Sequence, residues 1–147
     1  MGNFSQDLKI GEKAENFLIK ELEAELPGLK STQGNFPDYD LISDSGYTIE
    51  VKFDAISKTT GNVGFEYECG NHPSGLASTK AIEWIHIYYL TDKWVYVRIR
   101  TNNLKSYLRD NWERLEKVKG GDRNSSKLVL VDTEDFANSF PYYKEIS

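Results

Sequence analysis

The residues able to do chemistry concentrate in two short stretches. These are Pro37-Asp38-Tyr39-Asp40 and, on the next apolar run, Glu50-Val51-Lys52. Side chains of an extended chain alternate between faces. Asp38 and Asp40 therefore share one face, and Glu50 and Lys52 share one face with Val51 turned the other way. Carboxylates on a rigid sheet surface, with one ammonium beside them, match what a hard divalent cation needs to hydrolyse a phosphodiester. The ion takes oxygen ligands, and the amine stands near the attacking water.

Three elements must position these groups. Leu8, Ala14, Leu18, Leu22 and Leu26 form a stripe at helical spacing over 7–26, which Pro27-Gly28 ends. Glu15 falls within that stripe, where a carboxylate is costly unless a cation or donors meet it. The alternative is a glutamate at the edge of a wide face, with its head in solvent. Strands over 39–43 and 47–53 follow, joined by Asp44-Ser45-Gly46, a tripeptide suited to a three-residue hairpin loop with glycine in the left-handed position. That loop sets Ser43 opposite Tyr47, Asp40 opposite Glu50 and Asp38 opposite Lys52. Directly opposed side chains lie about 5 Å apart at Cβ, so one ion can bridge Asp40 and Glu50. The register favours Asp40 over Asp38 as the main ligand.

Downstream, 62–69 alternates, with Val63, Phe65, Tyr67 and Cys69 on one face and Glu66 and Glu68 on the other. A short helix around Thr79-Lys80-Ala81, capped by Ser74 or Ser78, precedes two apolar strands over 84–90 and 94–99. The second of these turns Trp94, Tyr96, Arg98 and Arg100 outward. The longest helical pattern covers 102–119, with Leu104, Leu108, Trp112, Leu115 and Val118 on one face, and Gly120-Gly121 stops it. A last strand over 127–131 leads to a short helix capped by Thr133. This order implies a single α/β domain: a mixed sheet with helices on its faces.

Composition narrows the functional classes. The chain has 147 residues, 39% of them hydrophobic, enough for a core. No apolar run reaches membrane-spanning length, and the N-terminus has no signal-peptide core. A lone cysteine, Cys69, excludes an internal disulfide and a cysteine-built zinc site, and points to a reducing, cytoplasmic setting. The net charge of −5 is unevenly spread, since 93–127 holds ten basic residues against four acidic ones. A molecule acidic at a metal site and basic on one flank can hold a polyanion through that flank; solvated helix faces also collect lysine and arginine. Lys80 could contact a phosphate near a helix N-terminus or simply be a surface lysine. Arg98 and Arg100, with Trp94 and Tyr96, could track a nucleic-acid backbone or pack against another element. His72 and Ser74 sit beside the candidate site as possible DNA contacts, and His86, between Ile85 and Ile87, reads as structural. Neither histidine has a second at ligand spacing, and Ser74 lacks a nearby general-base histidine, which argues against histidine-metal and serine-hydrolase chemistry.

At Pro37-Asp38 and Glu50-Val51-Lys52 the chain resembles the PD-(D/E)XK nuclease superfamily, whose core is a helix followed by a strand hairpin and a mixed sheet. The likeness extends to the upstream Glu15, to 61–68 with Glu66 and Glu68, to Pro73-Ser74-Gly75, to Thr79-Lys80-Ala81 and to Gly120-Gly121-Asp122, a pattern similar to small nucleases of phage type. Size and acidic hairpin are also similar to archaeal-type Holliday-junction resolvases. The resemblance implies a restriction-endonuclease-like fold and metal-dependent DNA endonuclease activity leaving a 5′-phosphate and a 3′-hydroxyl. The small size favours branched or junction DNA as substrate, or a homodimer that supplies a second half-site. It implies that Asp40 and Glu50 bind Mg²⁺ or Mn²⁺ with the Val51 carbonyl, and that Lys52 orients or deprotonates the water. Glu15 and Glu66 would complete the shell or hold a second ion. The motif's own Pro-Asp pair is Pro37-Asp38, whereas small relatives carry the ligand in a setting like Tyr39-Asp40-Leu41, so Asp38 and Asp40 both remain candidates. It also implies the host cytoplasm as location if the chain is phage-encoded. A non-catalytic DNA-binding module on the same fold, or a sequence-specific endonuclease dimer, is the competing expectation.

Overall fold

Among the described residues, alternation and helical spacing resolve into four α-helices and two sheets. The computed structural model describes residues 4–32, 39–120 and 125–146, with side chains of the first helix described from Glu12 onward. Pro37, Asp38, Gly121 and Asp122 lie outside the described residues. The elements are α1 (Phe4–Leu22), β1 (Lys30–Ser31), β2 (Leu41–Ile42), β3 (Thr48–Phe53), α2 (Ser57–Thr60), β4 (Asn62–Cys69), β5 (His72–Pro73), β6 (Glu83–Leu90), β7 (Lys93–Arg100), α3 (Thr101–Asp110), β8 (Glu116–Gly120), β9 (Ser126–Asp132), α4 (Thr133–Ser139) and β10 (Lys144–Glu145). The fold is mixed α/β. A six-stranded sheet runs β1-β2-β3-β6-β7-β10, and a four-stranded antiparallel sheet runs β5-β4-β9-β8.

The hairpin keeps the register that its turn dictates. Leu41 pairs with Ile49 and Ile42 with Thr48, while Ser43 N–H donates to Tyr47 O at 3.0 Å. Gly46 sits at φ +86°, the left-handed conformation that only glycine adopts without strain. β3 then pairs parallel with β6, Glu50 beside Trp84 and Lys52 beside His86. A parallel partner cannot be reached by a tight turn, so a long crossover is required. Here that crossover carries α2, β4 and β5, which seed the second sheet.

β6 is buried along nearly its whole length because both faces of its sheet are covered. On one face α1 lays Ala14, Leu18 and Leu22 against Ile49, Ile85, Ile87 and Tyr96. On the other, Trp84, Tyr88, Val95 and Val97 meet Phe65, Val129, Leu104 and Phe136. Each such buried side chain is worth about 1.5–3 kcal/mol. This corrects the outward face expected for β7. Tyr96 is fully buried and Trp94 packs on the α1 side, because that face carries a helix rather than solvent.

Three further expectations change. The helix over 102–119 is α3, ending at Asp110. Asn111 turns its amide back to Tyr107 O at 2.8 Å and accepts from Arg114 Nε at 2.9 Å, which supports a 3₁₀ turn over Trp112–Arg114. Glu116–Gly120 is a strand, with Val118 opposite Leu128. No helix forms at Thr79-Lys80-Ala81; a 3₁₀ turn over Gly75–Ala77 precedes an irregular segment. The cap of α4 is Asp132, whose Oδ2 accepts from the N–H groups of Glu134 and Asp135 at 3.0 and 3.1 Å. Among the described residues no helix is long and apolar enough to cross a membrane.

Candidate metal centre

Immediately before β2 begins, Asp40 turns its carboxylate onto β3. Its backbone N–H donates to Ile49 O at 2.9 Å, and its Oδ2 accepts from the Val51 N–H at 2.9 Å. Asp40 is thereby fixed against the backbone between Glu50 and Lys52. Glu50 is half-buried on β3, with Oε1 accepting from Thr79 Oγ1 at 3.2 Å. Burial pushes the Glu50 carboxyl up to about 8, and the charge of Asp40 and a hydrogen bond with it push the same way. The Thr79 hydroxyl and the Lys52 ammonium pull it down. Two carboxyl groups held this closely cannot both ionise freely without a cation. Lys52 itself is exposed on the face of Glu50.

Glu15 projects from α1 toward the same corner and accepts from Ser31 Oγ at 3.0 Å. Burial raises its pKa, the Ser31 hydrogen bond lowers it, and the charge of Asp40 raises it again. Helix, hairpin and β3 thus bring Glu15, Asp40, Glu50 and Lys52 into one electrostatic neighbourhood. Among the described residues no three His, Cys, Asp or Glu side chains close into a metal-holding set. The donor types nonetheless fit a hard divalent ion: paired carboxylates, one with its proton held up to about pH 8, beside the Val51 backbone. Mg²⁺ commonly takes only one or two carboxylates and keeps several waters.

The remaining sequence candidates fall elsewhere. Glu66 lies on β4 of the second sheet and borders a cavity of about 500 Å³ under α3, with Tyr67, Leu76 and Trp112. Neither Asp40 nor Glu50 lines that cavity. His72 and Ser74 lie at the β4–β5 edge, where Cys69 pairs with His72. Arg98 is committed to structure: Nε donates to Glu83 Oε2 at 2.7 Å, and Nη1 and Nη2 fork onto Glu25 at 2.9 and 2.8 Å. Hydrogen bonding to Glu25 raises its pKa, burial works against this, and Glu83 raises it further. Arg98 is thus tied to two carboxylates on the α1 side, which is the packing alternative that its place on the strand left open. Lys80 and Arg100 border one polar pocket together with Thr79.

His86 is structural, as read from its position. It is fully buried, receives the Trp84 Nε1–H at Nδ1 (3.1 Å) and meets Asp54 Oδ2 through Nε2 at 2.9 Å. Burial raises the Asp54 pKa, but hydrogen bonds from His86, Gly64 and Ser57 outweigh it and leave the carboxyl below its ordinary value. Sequence reasoning missed Thr79 as the partner of Glu50, since 29 residues separate them and no local pattern joins them.

The chain matches no protein-family model. No curated protein matches it either.

Proposed function

We propose that this chain is a metal-dependent DNA endonuclease that leaves a 5′-phosphate and a 3′-hydroxyl, with branched or junction DNA as the favoured substrate. The observation that carries this reading is the Asp40–Glu50 carboxyl pair, seated on a β-hairpin two residues from an exposed lysine. The earlier likeness to PD-(D/E)XK nucleases supports it at the same residues, and the helix–hairpin–mixed-sheet order agrees with that group's core.

Asp40 and Glu50, with the Val51 carbonyl, would hold Mg²⁺ or Mn²⁺. When bound, such an ion polarises a phosphoryl oxygen and lowers the pKa of water. Lys52 supplies a positive charge at the rim, where it orients the attacking water and stabilises negative charge developing on phosphate oxygens. Glu15, whose pKa is raised by burial and by the charge of Asp40, can accept a hydrogen bond at the back of the site. Asp38 and Glu66 are not required by this arrangement.

A DNA-binding module without turnover is the competing reading, favoured because among the described residues no three carboxylates come close enough to hold one ion. Incubation with supercoiled plasmid and with a synthetic four-way junction, in Mg²⁺, Mn²⁺ or EDTA, separates the two. The nuclease reading expects cutting with either metal and none in EDTA. Binding without cutting in every metal would leave the module reading, and cutting that persists in EDTA would reject a metal centre.

A further inference from the structure

We propose that the polar pocket between the start of α3 and the 79–82 segment is a phosphate-binding site, and that it holds a backbone phosphate of the strand whose neighbouring phosphodiester meets Glu50. The second half of this statement rests on the nuclease reading; the first does not.

The pocket has a volume of about 320 Å³, an order of magnitude above the roughly 30 Å³ share of one liquid water. Lys80, Arg100 and Lys105 line it from three different elements or segments. Among the described residues none of the three lies within ion-pair distance of a carboxylate. In a chain of net charge −5, three cations without a carboxylate partner, of which Arg100 also lies over the Tyr47 ring at 5.9 Å, surround one hollow and mark a place for an anion.

The backbone adds to this. α3 is ten residues long, and its N-cap position is Arg100, which makes no side-chain cap. The Thr101 N–H is taken by Ile82 O at 3.0 Å. The next N–H groups have no acceptor within the helix, and they carry the positive end of its dipole. Thr101 supplies an independent sign. It lines the pocket and is 4% exposed, and its Oγ1 is buried without a hydrogen-bond partner. A buried hydroxyl left unmet costs free energy, and a tetrahedral anion with several acceptor oxygens meets hydroxyl, amides and cations together.

Thr79 connects this pocket to the carboxylate pair. It lines the pocket and its hydroxyl donates to Glu50 Oε1 at 3.2 Å. One side chain therefore separates the anion site from Glu50, which suits adjacent phosphates of one strand better than a free ion.

The test uses the full, ¹⁵N-labelled chain in EDTA, where no turnover occurs. It is titrated with inorganic phosphate, with a short 5′-hydroxyl oligonucleotide and with its 5′-phosphorylated twin. The Asn102 and Asn103 amides are expected to shift with both oligonucleotides, and more weakly with phosphate. Equal shifts with the two oligonucleotides assign an internal diester; shifts with phosphate or with the 5′-phosphorylated strand alone overturn the strand-tracking half. Arg100→Ala and Lys105→Ala should each weaken oligonucleotide binding on the order of tenfold and cut the salt slope by about 0.7. Thr101→Val should weaken it severalfold with an unchanged or higher Tm. A higher Tm with unaltered affinity would mean the orphan hydroxyl is only a packing cost. Unmoved amides, or wild-type affinity in all three variants, overturn the site even if the protein cuts DNA. Binding that depends on these residues in a protein that cuts nothing overturns the nuclease reading instead.

Discussion

Asp40 and Val51 are joined across the hairpin: the aspartate Oδ2 accepts the valine N–H at 2.9 Å. That bond takes a carboxylate which could have stayed in solvent and fixes it over the backbone linking Glu50 to Lys52. The result is a crowded acidic corner with its own titration behaviour.

Lys52→Ala should lower cleavage by about 10²–10⁴, while DNA affinity in EDTA changes by no more than one lost phosphate contact. Parallel loss of cutting and binding would reassign Lys52 to substrate binding. Paired turnover and fluorescence-anisotropy measurements decide it.

Glu50 gives a pH signature without any activity assay. Its folded pKa of about 8 lies above the model-peptide value of 4.5, so the folded state holds the proton more tightly than the unfolded chain. The linked stability is present below about 4.5 and is lost as pH rises through about 8. In metal-free buffer, Tm should therefore fall across this window. Glu50→Gln should flatten the fall and gain on the order of 1 kcal/mol at pH 8, about 2–4 °C, after allowance for partial solvent screening. A Glu50→Gln protein that melts lower than wild type at pH 8 contradicts the assignment.

Metal binding must displace the Glu50 proton, because the ligand form is the carboxylate. At pH 7, titration of Mn²⁺ or Mg²⁺ in buffers of different ionisation enthalpy should show release of close to one proton. Affinity should climb with pH until about 8. Asp40→Asn removes the charge that helps hold the proton, so both the release and the affinity should drop. Tight binding with no proton released would place the ion elsewhere.

Arg98→Ala leaves Glu83, only 5% exposed, with Tyr47 Oη at 2.6 Å as its remaining hydrogen-bond donor among the described side chains. Breaking a buried pair in this way costs about 3–5 kcal/mol. Urea unfolding should show a loss of that order, with DNA affinity unaltered in the folded protein. Intact stability with weakened DNA binding would restore Arg98 to the DNA-facing surface.

What the sequence made legible was local. A three-residue turn with glycine at its left-handed position fixes the hairpin, and with it the meeting of Asp40 and Glu50. The apolar runs of β6 and β7 were equally plain, as was the stripe of α1 from Ala14 to Leu22, although the helix ends at Leu22 and not at Leu26. Three other features hid because their causes are distant or ambiguous. Leu115 and Val118 continue a helical spacing from Leu108, yet Glu116-Lys117-Val118-Lys119 alternates equally well, and pairing with β9 decides for the strand. Tyr96 alternates with valines as an outward residue would, but α1 covers that face. Arg98 reads as a free cation until Glu25 and Glu83, 73 and 15 residues away, are brought to it.

The loop at Asp44-Ser45-Gly46 acts as a ruler for this protein's acidic centre. Surface connections ordinarily absorb insertions at little thermodynamic cost, and exposed Asp44, Ser45 and Gly46 look like such a place. One added residue that slides β2 along β3 by a single step would invert every side chain of the shorter strand. Asp40 would then part from Glu50 while Leu41 left the interior. The length of this exposed connection is therefore held as tightly as the identity of the acids it sets opposite each other.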